Sequence, residues 1–163
     1  MKRMKKLIYD RDKAVSYALK WALNRNPKYF DFSKIGGDCT NFVSQCIYNG
    51  CGVMNYKLYT GWFYTSPSLR APAWTGVNEL YNFAVNNDGD GFYAKVTDRL
   101  KVMPGDVIQL GNDDGFYHTL IINDIINGRI KVCSHSIDRK NVDLSVYNAK
   151  KIRFLHVLGA RSV

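Results

Sequence analysis

The apolar residues of this chain change their spacing half-way along its length. They recur every three or four residues from Asp12 to Asn24, with Asp12 as the cap, and again from Thr75 to Asn86, which predicts two amphipathic helices. A further helix is predicted from Asp38 to Tyr48, capped by Asp38 and ended by Asn49-Gly50. After the turn-forming residues 87–91 the pattern changes to short apolar runs that are typical of strands.

Four such runs complete the chain, at residues 106–110, 118–126, 129–136 and 151–158. The middle two are separated by Asn127-Gly128, a dipeptide typical of a two-residue hairpin turn. Helices first and strands afterwards predict an α+β fold, with amino-terminal helices packed on a carboxy-terminal antiparallel sheet. Because 163 residues suit one domain better than two, and no linker or repeat divides them, we expect a single domain over residues 1–163.

Composition excludes several classes of protein. Apolar residues make up 46% of the chain and charged residues 23%, values near those of soluble proteins, so we exclude disorder. Glu79 is the one glutamate, which excludes mechanisms built on paired Glu carboxylates. No stretch reaches the ~18–20 apolar residues of a membrane span. Charged residues 10–13 stand where a signal peptide would need its apolar region, so we expect synthesis in the cytoplasm, with a later release to the cell wall left open.

Cys39 is the candidate nucleophile. The four cysteines form no CxxC pair and are expected to be reduced, but Cys39 alone follows two glycines and begins a predicted helix. Unpaired N–H groups and the helix dipole favour a thiolate there, and the same N–H groups would face the oxyanion formed when the sulfur attacks a carbonyl. A buried structural cysteine is the alternative.

A thiol nucleophile needs a base, and the sequence holds three histidines. His118 opens a predicted strand beside the loop 111–115, which is a common place for a site residue. His135 lies on the partner strand of the predicted hairpin, where it would orient the base, and Asp138 is the second choice for that orienting role. His156 alternates with apolar residues on the last strand and is predicted to be structural.

The residues around Cys39 carry a resemblance. The segment Gly36-Gly37-Asp38-Cys39-Thr40-Asn41-Phe42-Val43-Ser44-Gln45-Cys46 resembles the hallmark motif of an amidase-domain family of bacterial cell-wall hydrolases. Residues 105–108, His118 with the apolar run behind it, and residues 134–138 continue the likeness, which covers about Tyr9 to His156. Trp62 and Trp74 also stand where that family has tryptophans.

The resemblance implies a papain-like fold, related to the CHAP and NlpC-type peptidases, and cleavage of an amide bond in peptidoglycan or a peptide. It implies Cys39 as nucleophile, His118 as general base and acid, and His135 as orienting partner, with Asp138 kept as a possible third member. Asp38, Trp62 and Trp74 are candidate substrate contacts. Tyr29 is a candidate for an oxyanion donor.

Alternative functions remain at this point. Residues 86–97 begin like an EF-hand loop but carry Thr97 in place of the bidentate Glu, and the cysteine spacing does not suit zinc, so we expect neither metal nor cofactor. Cys46 lies on nearly the same helix face as Cys39 and is predicted to be a core thiol. The aromatic residues between Tyr56 and Trp74 either line a substrate groove or cover the core. An intracellular papain-like peptidase, acyltransferase or deamidase acting on proteins stays open, as does a basic nucleic-acid-binding domain without catalysis.

The distribution of charge bears on the partners. With 23 basic and 14 acidic residues, the net charge is +9, which suggests an anionic partner. The excess lies near the two ends of the chain, at Lys2, Arg3, Lys5, Lys6, Lys150, Lys151, Arg153 and Arg161. A nucleic-acid-binding domain concentrates its charge on a folded face, so nucleic acid is the disfavoured partner and an anionic cell-wall polymer the favoured one.

Overall fold

The computed structural model describes residues 3–163, and Lys2 therefore lies outside the described residues. The helices are α1 (Arg11–Trp21), α2 (Cys39–Cys51), α3 (Pro72–Thr75) and α4 (Val77–Asn86). The three predicted helices are thus confirmed, with small shifts at their ends. The cap of α1 is Asp10 and not Asp12, because the Asp10 carboxylate accepts the N–H of Lys13 at 3.1 Å. Among the described helices none is long and apolar enough to cross a membrane.

The strands form one large sheet and one small hairpin. The large sheet contains β1 (Lys5–Leu7), β4 (Gly91–Thr97), β5 (Val107–Asn112), β6 (Gly115–Ile126), β7 (Arg129–Ser134), β8 (Arg139–Asp143) and β9 (Lys151–Ser162). Its order is β1-β9-β5-β6-β7-β8, with β4 on the other edge of β9, and its pairs are antiparallel. The hairpin joins β2 (Tyr64–Ser66) to β3 (Leu69–Arg70). A short 3-10 helix spans Leu144–Val146.

The hairpin between β6 and β7 is confirmed at the predicted dipeptide. Asn127 and Gly128 have φ values of 50° and 77°, as a type I′ turn requires at both central positions. The register pairs Ile126 with Arg129 across this turn. Strand β7 ends at Ser134, so the predicted run was two residues too long, and the segment after it turns away from β6.

Apolar side chains cover both faces of the central strands. Alternate residues Val107, Ile121 and Leu155 join the core shared with the helices, while Ile108 and Leu120 join a second cluster on the opposite face of the sheet. This alternation is the period-2 pattern of a strand. The α+β class is therefore confirmed, with α2 packed against β6.

Glycine 50 does not end α2 as the sequence suggested. The helix continues to Cys51, and the left-handed residue that closes it is Gly52, with φ 72°. A Cβ atom at Gly50 would lie 2.6 Å from the Tyr9 ring and 2.9 Å from the Asp10 carbonyl oxygen. The ring is itself fixed, because the Tyr9 hydroxyl donates to the Gly105 carbonyl at 2.8 Å. Gly50 therefore permits a close approach of the chain to the helix.

We expect Gly50→Ala to lower the free energy of unfolding by about 2 kcal/mol, since overpacking against a fixed ring and backbone of up to ~3 kcal/mol outweighs the ~1 kcal/mol gain in helix propensity. Urea denaturation followed by circular dichroism would measure the change. Asn49→Ala is the matched control, because Asn49 is an exposed neighbour in the same helix. A Gly50→Ala protein as stable as the control would contradict this close-packing explanation.

Candidate active site

Cys39 is the first residue of α2 and is 8% exposed. Its sulfur accepts a hydrogen bond from the backbone N–H of Thr119 on β6 and lies 3.8 Å from the hydroxyl oxygen of Thr40. The two threonines bind each other, with 2.9 Å between their hydroxyl oxygens. The start of α2 is therefore fixed directly to the strand residue that follows His118.

Burial raises the pKa of the Cys39 thiol, and the hydrogen bonds from Thr119, Thr40 and the N–H of Cys39 itself only partly oppose that effect. The expectation of a thiolate at rest is therefore wrong for this structure, because loss of solvation outweighs the donors at the helix start. Cys39 is therefore a thiol at neutral pH, and a role as nucleophile would require a base.

His118 is a neutral imidazole at neutral pH. Burial, together with the positive charge of Arg139, lowers its pKa to about 4. The Tyr147 ring, whose centroid is 5.8 Å from that of the imidazole, packs beside it. In the described structure no hydrogen bond joins the imidazole to the Cys39 sulfur; catalytic hydrogen bonds often form only with substrate bound. A neutral imidazole can accept a proton, and His118 precedes the strand residue that binds Thr40 at the start of α2.

His135 binds Asp38 and not His118. Its Nδ1 lies 2.6 Å from an Asp38 carboxylate oxygen, and its Nε2 donates to the Trp21 carbonyl at 2.8 Å. The Phe42 ring stacks on the imidazole with 4.0 Å between centroids. Because both ring nitrogens have these partners and the side chains are only 1–2% exposed, His135 fixes the start of α2 and does not orient the base.

Asp38 has no surface for a substrate contact, since it is completely buried. Its second carboxylate oxygen accepts the Phe32 N–H at 2.8 Å and the Asn41 amide at 2.9 Å. Although Asp38 occupies the cap position of α2, its side chain makes no capping hydrogen bond. The first N–H groups of the helix are therefore not occupied by this carboxylate.

Arg25 links the segments around the site. Its guanidinium binds Asp138 through two 2.9 Å hydrogen bonds and lies within ion-pair distance of Asp31 and Asp38. Partial burial lowers the pKa of Arg25, but the hydrogen bonds that it donates to Asp138 and Asp31 more than compensate, so the pKa is raised. Asp138 thus forms an ion pair with Arg25, and no contact joins it to His118 in the described residues.

The other polar residues of the motif anchor α2 to the protein. The Asn41 amide donates to the Phe30 carbonyl at 2.9 Å, the Ser44 hydroxyl donates to the Trp74 carbonyl at 2.9 Å, and Gln45 accepts from the Tyr17 hydroxyl. The sequence left open whether these residues face solvent or fix the motif, and the structure shows that they fix it. Cys39 and Thr40 are the motif residues at the start of α2, and Thr40 binds Thr119 of the strand that carries His118.

A model of the family described as "Putative amidase domain" matches residues 8–158. The chain belongs to this family. The family description indicates, in general terms, a hydrolase that acts on amides. The uncharacterized protein YhbB of Bacillus subtilis (strain 168) is 35% identical over 118 residues, which are 70% of this chain and 37% of that protein. The chain thus spans little more than a third of this relative's length. No solved structure matches.

The tryptophans of this amidase domain belong to its core. Trp62 and Trp74 are 0% exposed and lie 4.9 Å apart between ring centroids, so the expectation that they contact substrate is wrong. Their indole N–H groups donate to Ser44 and Asn41, each at 3.0 Å. Tyr29 stacks on Trp74 at 6.0 Å and covers the core, so its geometry gives no support to a role as oxyanion donor.

Sequence reasoning missed three residues that build the site of this amidase domain. Arg25 gave no signal because its acidic partners are brought together only by the fold. Thr119 was read as part of an apolar run, although its position next to His118 was a usable hint. Tyr147 lies beyond the predicted strands, and its hydroxyl meets Ser134 at 2.6 Å.

We expect His135→Leu to lower the free energy of unfolding by about 3 kcal/mol or more, since it leaves the buried Asp38 carboxylate without its closest partner. Asp138→Asn should change it by less than about 1 kcal/mol, because Asp138 and Arg25 form a partly exposed pair. Urea denaturation of both variants would measure the difference. Equal effects would contradict the structural role assigned to His135.

Proposed function

We propose that this amidase domain is a cysteine-dependent amide hydrolase that cleaves a peptide amide of bacterial peptidoglycan through an acyl-enzyme. One observation carries the proposal: Cys39 begins α2 where Thr40 binds Thr119 of β6 at 2.9 Å, and His118, an imidazole whose pKa is lowered to about 4, precedes Thr119 on that strand. A thiol at a helix start and a histidine on the strand that this helix contacts are also features of papain-like enzymes, so a papain-like single domain is part of the proposal.

The reaction follows from these protonation states. The Cys39 sulfur attacks the amide carbonyl carbon while its proton passes to His118. His118 then gives that proton to the amide nitrogen, the C–N bond breaks and the amine leaves, with the acyl group bound to sulfur as a thioester. Water adds to the thioester as His118 accepts its proton. The C–S bond then breaks, and the returned proton restores the thiol.

The oxyanion would be held at the start of α2. The first backbone N–H groups of the helix point out of its amino terminus, where the helix dipole favours negative charge. Because the Asp38 side chain does not cap them, they are the donors best placed for the carbonyl oxygen. This part of the proposal requires neither Tyr29 nor a metal ion.

Exposed apolar residues around the site support a peptide substrate. Ile35, Ile137 and Tyr117 are 64%, 73% and 51% exposed. Each lies within three residues of a contact that assembles the site: Asp38 donates its N–H to Ser136 at 3.0 Å, and Thr119 binds Cys39. Three apolar side chains on converging segments suit small apolar side chains next to the scissile bond, as in the alanine-rich peptides of peptidoglycan.

The basic ends would hold the enzyme near an anionic wall polymer. Lys5 and Lys6 are exposed on β1, which pairs with the end of β9. Arg153 and Arg161 contribute less, because each stacks on aromatic rings within the protein, at 3.6–3.8 Å. Nucleic acid remains the disfavoured partner, and release to the wall is the localisation that this function needs.

We expect Cys39→Ala and His118→Ala each to reduce the release of fragments from purified peptidoglycan by at least about a thousandfold, as removal of a nucleophile or its base does in comparable enzymes. Mass analysis of the soluble fragments would measure the loss and would identify the bond that is cut. Cys51→Ala is the matched control, because Cys51 is also a largely buried thiol of α2 but lies at its far end.

Retained activity in Cys39→Ala would exclude the mechanism. Wild-type protein that leaves peptidoglycan intact but cleaves or deamidates a peptide in a Cys39-dependent way would keep the mechanism and exclude the substrate. Folding of each variant is checked by circular dichroism, so that lost activity is not mistaken for lost structure.

We expect the activity of this amidase domain to fall only at unusually low pH. Protonated His118 cannot accept the thiol proton, so kcat/KM on a peptide substrate should fall with a midpoint near pH 4 rather than near 6.5, following the lowered pKa. Arg139→Gln removes the nearby positive charge and should move the midpoint upward. A wild-type midpoint near 6.5 would show that His118 is not the base.

A further inference from the structure

A chain of buried hydrogen bonds runs from β9 to the Cys39 sulfur. Arg153 donates to the Gln109 side-chain oxygen at 2.9 Å and 2.5 Å. The Gln109 amide donates to the Thr119 hydroxyl at 3.2 Å, and Thr119 meets the Thr40 hydroxyl at 2.9 Å. Gln109, Thr119 and Thr40 are each completely buried. Hydrogen bonds thus join these three buried polar side chains to one another and to Arg153.

Arg153 occupies a fixed position at one end of the chain. Its guanidinium lies between the rings of Tyr81 on α4 and Phe116 on β6, 3.6 Å and 3.8 Å from their centroids. Both its Nε and one terminal nitrogen bind the same Gln109 oxygen. A guanidinium can only donate hydrogen bonds, so Arg153 requires an acceptor and holds the Gln109 oxygen toward itself.

Arg153 thereby determines which group is donor and which is acceptor in each of the following hydrogen bonds. With its oxygen on Arg153, Gln109 presents its NH₂ group to Thr119 and to the Val77 carbonyl, which is 2.9 Å away. The Thr119 oxygen accepts from Gln109, so its own proton points to Thr40. The Thr40 oxygen is then an acceptor, and its proton points toward the Cys39 sulfur at 3.8 Å.

We propose that Gln109, oriented by Arg153, is a positioning residue that directs the Thr40 hydroxyl proton onto the Cys39 sulfur. The hydroxyl stabilises the negative charge that develops on sulfur when its proton moves to His118, since a donor to the charged form favours that form. Aligned hydrogen bonds polarise one another, and a cationic end strengthens the effect. This inference rests on the proposed role of Cys39 as nucleophile.

The other charged groups near the start of α2 do not take the place of this chain of hydrogen bonds in acting on the Cys39 sulfur. Asp38 is bound to His135, and Arg25 lies against Asp38, Asp31 and Asp138. His118 on β6 is the group that receives the proton. The side-chain donor to the sulfur is Thr40.

The first test removes the final link. Iodoacetamide alkylates the thiolate, so the pH dependence of Cys39 alkylation, followed by peptide mapping, measures its apparent pKa. Thr40→Val should raise that pKa by roughly one unit, whereas Thr40→Ser, which keeps the hydroxyl, should leave it unchanged. Cys51 is an internal reference in the same molecules, since its thiol faces the Val53 carbonyl at the far end of α2.

The second test reverses the direction of the hydrogen bonds without changing Cys39 or Thr40. Gln109→Glu offers only acceptors, so Thr119 would donate to it and Thr40 would donate to Thr119, leaving the sulfur without its hydroxyl donor. We expect Cys39 to show a raised pKa again, and the double variant with Thr40→Val to show no further rise. Should the Val77 carbonyl prevent Gln109→Glu from folding, Arg153→Met, which frees the Gln109 amide to rotate, takes its place in the same cycle.

The outcomes separate this inference from the proposed function. An unchanged pKa in Thr40→Val, or additive shifts in the double variant, overturns the directed chain. Alkylation does not need turnover, so these results stand whether or not the protein cleaves peptidoglycan. If the shifts occur and are not additive, the inference is supported even where a chosen substrate proves wrong.

Discussion

The buried contact between Asp38 and His135 is the constraint on which the site depends. It joins positions 97 residues apart in the chain at 2.6 Å, and neither side chain can reach enough solvent to be stable alone. Phe32 and Phe42 complete the surroundings, one through its backbone N–H and the other through its ring. The start of α2 therefore has one position relative to the end of β7. Cys39 takes its place from that contact.

Burial has opposite effects on Cys39 and His118. It raises the pKa of the Cys39 thiol and lowers the pKa of the His118 imidazole, so each is uncharged at neutral pH. A neutral pair needs no buried ion pair in the resting protein, and it attracts fewer adventitious electrophiles than a thiolate would. In the proposed reaction, charge separates only once a substrate carbonyl lies next to Cys39.

Local sequence patterns predicted the main helices and the hairpin, whereas side-chain partners and burial depend on long-range contacts that such patterns do not encode. Helical spacing located α1, α2 and α4, and Asn127-Gly128 located the hairpin. Strand β4 was missed because it follows directly on a turn-forming segment, and β8 because it is mostly polar. Cys39 does begin a helix as predicted, whereas β6 begins at Gly115, so His118 lies inside the strand and not at its start. The partners of His135 and the burial of Trp62 depend on segments far apart in sequence, which no local pattern encodes.

The place of β9 in the sheet has a consequence for the timing of assembly. This strand follows all others in sequence, yet it lies between β5 and β4 and also pairs with β1. Arg11 already reaches its Val157 carbonyl at 2.7 Å, across 146 residues. Contacts of such separation form late in folding. During synthesis the sheet that supports the thiol therefore stays open until β9 emerges, and the surroundings of Cys39 are complete only then.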